Sequence, residues 1–88
     1  MTGTVALVVE YDGSRYAGFQ YQPVLPTIQG ELERATHLLT GTQTRIRGAG
    51  RTDAGVHSTG QVVAFDIDKD LDYGRLAPGL NYYLPSDI

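Results

Sequence analysis

The sequence predicts an α+β domain built on an antiparallel sheet with its helices on one face. Three observations carry that expectation: a β-branched apolar run at 4–11, an amphipathic segment at 27–40, and an alternating segment at 61–67.

Residues 4–11, Thr-Val-Ala-Leu-Val-Val-Glu-Tyr, read as a buried strand, and Asp12-Gly13-Ser14 closes it with turn chemistry. Residues 15–26 hold two prolines and no periodicity, which predicts an irregular loop. Thr27 opens a helix with a capping hydroxyl, Ile28, Leu32, Ala35 and Leu39 form one apolar stripe, and Gly41 stands where a left-handed C-terminal cap belongs. Residues 43–50 read as a second strand, with Arg45 and Arg47 on one face and Ile46 on the other. Residues 51–60 are a loop, and Val63, Phe65 and Ile67 give the third strand its inner face. Beyond the acidic stretch 68–72, Asp72 is a candidate cap for a second helix bearing Leu76, Leu80 and Leu84. Pro78 predicts that this helix is kinked or starts late, and Pro85 ends it.

The order β-α-β-β-α fits a split βαβ, ferredoxin-like sheet. Its fourth strand would only begin at Asp87-Ile88, so the fold is expected to be truncated before or at its last strand.

A chain of 88 residues suits one domain, and with no cysteine it has no disulfide to support a small core. There is no run of 18 apolar residues and no basic, cleavable leader, so the expectation is a soluble cytoplasmic protein without a membrane segment. The formal net charge of −3 argues against nucleic acid as a partner until its distribution is considered. Much of the acidity lies beyond residue 60, whereas 44–51 carries Arg45, Arg47 and Arg51 without an acid. Local charge decides where phosphate docks, and a solvated strand edge bearing arginines explains the same pattern.

The segment Gly50-Arg51-Thr52-Asp53-Ala54-Gly55-Val56-His57 is rich in groups that do chemistry and poor in groups that pack. Gly48, Gly50 and Gly55 surround Asp53 and permit close approach of another molecule. Arg51 stands two residues before Asp53, placed to keep a carboxylate ionised or to reach a phosphate or base. Thr-Asp-Ala-Gly is equally a good turn, in which Asp bonds its own backbone and Gly takes positive φ. His57 is a candidate base or ligand, but neither a second His nor a Cys lies nearby, so no metal site is expected. The glycines lack the spacing and the lysine of a nucleotide-binding loop.

Those residues, followed by Gly60-Gln61-Val62 and Phe65-Asp66, resemble the active-site signature of the TruA family of tRNA pseudouridine synthases. Tyr11-Asp12-Gly13 with Gly18-Phe19-Gln20 and Gln22, Thr27-Ile28-Gln29-Gly30-Glu31-Leu32-Glu33, and Leu80-Asn81 with Leu84-Pro85-Ser86-Asp87-Ile88 are similar to three further family segments in the same order. Phe19 stands where that family usually has Trp, and Ser58 where it usually has Ala. Family members are about three times as long, so the resemblance implies that residues 1–88 are an amino-terminal, catalytic-Asp portion lacking a second domain.

The resemblance implies conversion of uridine to pseudouridine at positions thirty-eight to forty of the tRNA anticodon arm, without cofactor or metal, by a homodimer. It assigns Asp53 as catalytic carboxylate and Arg51 as the residue that assists base flipping and pairs with it. An anion beside the sugar stabilises the positive charge that develops as the base leaves, and the base must first leave its stack. Thr52 and His57 flank this pair as candidate RNA contacts, and Arg45 and Arg47 are candidate phosphate contacts on the adjacent strand. Tyr16 and Phe19 suit either the RNA cleft or the core, while Tyr82 and Tyr83 read as structural. The alternatives are a noncatalytic RNA-binding remnant of the same family and an unrelated oligomerisation module whose Asp53 loop is only a turn. The 88-residue piece alone is expected to have little activity.

Overall fold

The structure is a computed structural model that describes residues 2–48, 55, 57–68 and 73–88. Strands β1 (Thr2–Tyr11), β2 (Arg47–Gly48) and β3 (Ser58–Asp68) form one sheet in the order β1-β3-β2, with β3 antiparallel to both neighbours. Helix α1 (Ile28–Thr40) joins β1 to β2, and α2 (Leu76–Tyr83) follows β3. A strand inserted between two others that are linked through a helix is the split βαβ arrangement, so the expected ferredoxin-like α+β fold is borne out. Three strands belong to the sheet among the described residues, and β1 forms one edge.

Period-two patterning puts Val9, Val63, Phe65 and Ile67 on the inner face, where they meet Ile28, Leu32 and Ala35 of α1 and Leu76 and Leu80 of α2. Both helices therefore cover one face. Thr4, Ala6, Val8 and Glu10 of β1 and Val62 and Asp66 of β3 are exposed on the other. Tyr16 and Phe19 are buried with the core, which decides between the two roles open to them: their aromatic rings pack inward.

The α1 boundaries follow its local chemistry. Thr27 is extended and its Oγ1 accepts the Gly30 N–H at 3.1 Å, while Gly41 adopts φ 77° and donates its N–H to the His37 carbonyl. The helices touch where α2 has no side chain: a Cβ on Gly79 would lie 2.7 Å from Leu39 Cδ1.

Three expectations need adjustment. Of the predicted second strand of 43–50, residues 49–50 lie outside the described residues, and the strand starts at Arg47 rather than 43, because the backbone of Ile46 is taken by α1 side chains instead. Gln29 Nε2 donates to the Ile46 carbonyl at 3.0 Å and Glu33 Oε2 accepts the Ile46 N–H at 2.9 Å. The third strand begins at Ser58 rather than 61, so it absorbs the end of the predicted loop. Between Val9 and Tyr11 of β1, β3 runs from Gln61 to Ser58, one residue more, and this bulge lets pairing continue to Ser58. Finally, α2 starts late, as Pro78 requires. Its N-cap is Arg75, with no side-chain cap bond, and not Asp72, which lies outside the described residues. Pro78 thus falls in the first turn, where a missing N–H costs no helical hydrogen bond.

The loop between β1 and α1 is closed at its base. Ala17 N–H donates to the Pro26 carbonyl at 2.8 Å, and Gln29 N–H donates to the Phe19 carbonyl at 2.9 Å. Gln29 Oε1 also accepts the Tyr21 N–H at 2.8 Å.

Candidate active site

Of the sequence-predicted site residues, Arg51, Thr52 and Asp53 lie outside the described residues. The described part of the signature loop is its exit, Gly55 and His57, and both are held by the turn that follows β1. Gly55 has φ 79°, a left-handed conformation natural to glycine, as expected for Thr-Asp-Ala-Gly. Its N–H donates to the Tyr16 carbonyl at 3.2 Å. His57 Nδ1 accepts the Gly13 N–H at 2.8 Å.

That second bond selects the tautomer of the neutral ring. An amide nitrogen can only donate, so Nδ1 is the unprotonated nitrogen and the neutral ring carries its proton on Nε2. The Asp12 carboxylate also lies 3.1 Å from Nδ1, a separation that would suit an ion pair. The shorter, better-defined bond to Gly13 takes precedence, and both side chains are mostly exposed, so the pair adds little. The partners of Asp12 are the N–H and hydroxyl of Ser14, which hold its carboxyl below the ordinary carboxylate range.

The same turn is tied to the carboxyl-terminal residues. Asp12 N–H donates to the Asp87 carbonyl at 2.8 Å, and Tyr16 Oη donates to Asp87 Oδ1 at 2.7 Å. Burial and the neighbouring Asp87 carboxylate both raise the Tyr16 phenol above its ordinary value, which keeps it a donor. Asp87, Asp12 and His57 line a groove of about 740 Å³ beside β1, together with Val9, Leu80 and Leu84.

Arg45 and Arg47 are brought to the β2 edge but face different carboxylates. Arg45 Nε lies 3.8 Å from Glu33 Oε2 of α1, and Arg47 Nη2 lies 3.6 Å from Asp66 Oδ1 of β3. Both arginine side chains are more than half exposed, so these pairs are loose and leave donors for a phosphate. Among the described residues there is no cluster of three or more metal-ligating side chains, and no helix is long and apolar enough to cross a membrane.

Sequence reasoning passed over Asp12 and Asp87 as site components and weighed Tyr16 only as a cleft or core residue. The signal lay in the matched segments Tyr11-Asp12-Gly13 and Pro85-Ser86-Asp87, whose residues meet only in the fold.

The split βαβ sheet, with its third strand following the glycine-rich signature segment, makes this an α+β domain of the ferredoxin-like class, and the comparisons give its family. A family model described as tRNA pseudouridine synthase matches residues 7–88. The chain is 45% identical over 84 residues to "tRNA pseudouridine synthase A" of Maridesulfovibrio salexigens, covering 96% of this chain and 31% of that protein. It is 51% identical over 78 residues to the protein of the same name from Bradyrhizobium diazoefficiens, covering 89% and 32%. The relative from Syntrophomonas wolfei is 52% identical over 84 residues, covering 96% and 34%. The chain belongs to the tRNA pseudouridine synthase family. It spans about a third of the length of these curated relatives.

Proposed function

We propose that this chain supplies the catalytic carboxylate of an enzyme that isomerises uridine to pseudouridine in the anticodon arm of tRNA, with Asp53 as that carboxylate. The observation that carries the reading is the match of residues 7–88 to the tRNA pseudouridine synthase family. The anchoring of Gly55 and His57 supports it, since a loop that must present a charged group to a flipped base gains from a fixed exit.

In this reading the target uridine leaves its stack, Arg51 fills or steadies the vacated position, and Asp53 stabilises the cationic sugar as the glycosidic bond opens. The uracil turns and rejoins through carbon 5, whose proton leaves to solvent while the freed ring nitrogen takes one up, so atoms balance without a cofactor or metal. His57 presents its Nε2–H outward as an RNA donor, Thr52 lines the same loop, and Arg45 and Arg47 contact phosphate. The working assembly is a homodimer on one tRNA in the cytoplasm, and residues 1–88 form its amino-terminal, catalytic-Asp domain.

The test is tritium release from tRNA labelled at carbon 5 of uridine, measured with the full gene product. Asp53→Ala is expected to abolish release while tRNA binding persists. Normal turnover by Asp53→Ala would remove Asp53 from the mechanism.

A further inference from the structure

We propose that Tyr16 and Asp87 are positioning residues for the signature loop, a clamp that reaches Asp53 through Gly55. The proposal rests on the reading of Asp53 as the reacting carboxylate.

Gly55 lies two residues after Asp53, and its N–H is held by the main-chain carbonyl of Tyr16 at 3.2 Å. A main-chain carbonyl holds a partner only as firmly as its own residue is held. Tyr16 is fixed twice: its ring is buried in the core, and its hydroxyl donates to Asp87 Oδ1 at 2.7 Å. Asp87 is placed in turn by its carbonyl, which accepts the Asp12 N–H at 2.8 Å. Asp12 opens the 3₁₀ turn Gly13–Arg15, and Gly13 donates to His57 Nδ1 at 2.8 Å. The turn 12–16 is therefore pinned on one side by Asp87 and pins the loop exit on the other at two points, Gly55 and His57.

Core packing alone would seat the Tyr16 ring, and a phenylalanine would serve for that. The hydroxyl bonded to a carboxylate adds a second anchor: it fixes where the far end of the ring lies, and a side chain held at its tip as well as by packing restricts the main chain that carries the carbonyl. A bond between a neutral phenol and an ionised carboxylate is among the stronger side-chain pairs. A catalytic carboxylate tolerates little misplacement, because small displacements lower rates steeply while leaving binding intact. Tyr16 and Asp87 touch no reacting atom in this scheme; they act through Gly55.

The test uses the full gene product with Tyr16→Phe, Asp87→Ala and Asp87→Asn, the last retaining an acceptor oxygen. Losing a charge-assisted hydrogen bond corresponds to about a tenfold change in an equilibrium. Tyr16→Phe and Asp87→Ala are therefore each expected to lower kcat about tenfold and to speed Gly55 amide exchange by a similar factor, with KM for tRNA changed less than about twofold. Asp87→Asn restores both to within about twofold of wild type. The double variant Tyr16→Phe/Asp87→Ala falls no further than either single one, because both break the same bond. Unchanged kcat and Gly55 exchange in Tyr16→Phe, alongside abolished turnover in Asp53→Ala, would overturn the clamp and leave the functional reading standing. Parallel losses in kcat, KM and melting temperature would overturn it as well, since that pattern marks a role in folding alone. Turnover that survives Asp53→Ala would overturn both readings.

Discussion

Glu33 Oε2 accepts the N–H of Ile46 at 2.9 Å, so a carboxylate on α1 pairs the backbone of the residue that enters β2. Gln29, one helical turn earlier, donates to the carbonyl of the same residue. Between them the two side chains satisfy both main-chain groups of Ile46, whose own side chain is buried. A sheet edge covered in this way offers less to a foreign strand.

Removing the carboxylate leaves a donor at a nearly sealed position without an acceptor. Glu33→Ala is expected to destabilise the chain by about 1–3 kcal/mol in urea unfolding. Arg45→Ala, which removes only the loose partner 3.8 Å away, is expected to cost less than about 1 kcal/mol. Equal losses in the two variants would mean that the ion pair, and not the bond to Ile46, is the contribution that matters.

The contact between Gly79 and Leu39 gives a second test. Alanine in place of glycine inside a helix gains about 1 kcal/mol of propensity, and overpacking costs about 1–3 kcal/mol. With a Cβ only 2.7 Å from Leu39 Cδ1, the overpacking dominates. Gly79→Ala is expected to lower the melting temperature. In the Leu39→Ala background the same substitution is expected to raise it, because the obstructing methyl groups are gone and only the propensity gain remains.

Tyr16 makes the alkaline limb of stability specific. Its phenol is raised by burial and by the Asp87 carboxylate, so the folded state binds that proton more tightly than the unfolded chain does. The contribution is complete below the ordinary phenol value of 10.0 and is lost as pH rises above it. Urea midpoints of wild type are therefore expected to fall between about pH 10 and 12 by more than those of Tyr16→Phe, whose phenylalanine does not titrate. At the acid end Asp12 has the opposite sign: its carboxyl is lowered by Ser14, so its contribution is present above the ordinary 3.8 and disappears as pH falls through the lowered value. The difference between wild type and Asp12→Ala is expected to vanish in strong acid.

For the RNA-facing residues, Arg47→Ala and Arg45→Ala are each expected to weaken tRNA binding and to reduce the slope of log affinity against log salt by about 1. Filter binding across a salt series reads this directly, and an unchanged slope would remove that arginine from the phosphate contacts. Arg51→Ala is expected to lower turnover more than melting temperature. A melting temperature that falls as far as turnover would make Arg51 a structural ion-pair partner instead.

The parts of the fold that were legible in the sequence are those whose causes are local. The Thr27 cap, the Ile28-Leu32-Ala35 stripe and Gly41 all lie within one helix, and α1 appears at the predicted place. The alternation of Val63, Phe65 and Ile67 fixed the face of β3 in the same way. Errors came where a distant partner decides. The late start of β2 depends on Gln29 and Glu33 reaching Ile46, and the early start of β3 depends on a bulge that accommodates one extra residue against β1. The signature loop stood out by its composition, yet the residues that hold its exit did not. Tyr16 and Asp87 are 71 positions apart, and no periodicity links a tyrosine in an irregular loop to an aspartate beyond the last helix.

The neck of the β1–α1 loop, where Ala17 meets Pro26 and Phe19 meets Gln29, isolates the tip from the frame. Val24 and Leu25 at that tip are exposed, and α1 takes its anchor from below it. Segments spliced in between 22 and 25 would lengthen a lobe whose two stems are already fastened, at a closure cost that grows only slowly with length. This makes the tip a natural place for a fluorescent label or an accessory recognition module, added without moving the sheet.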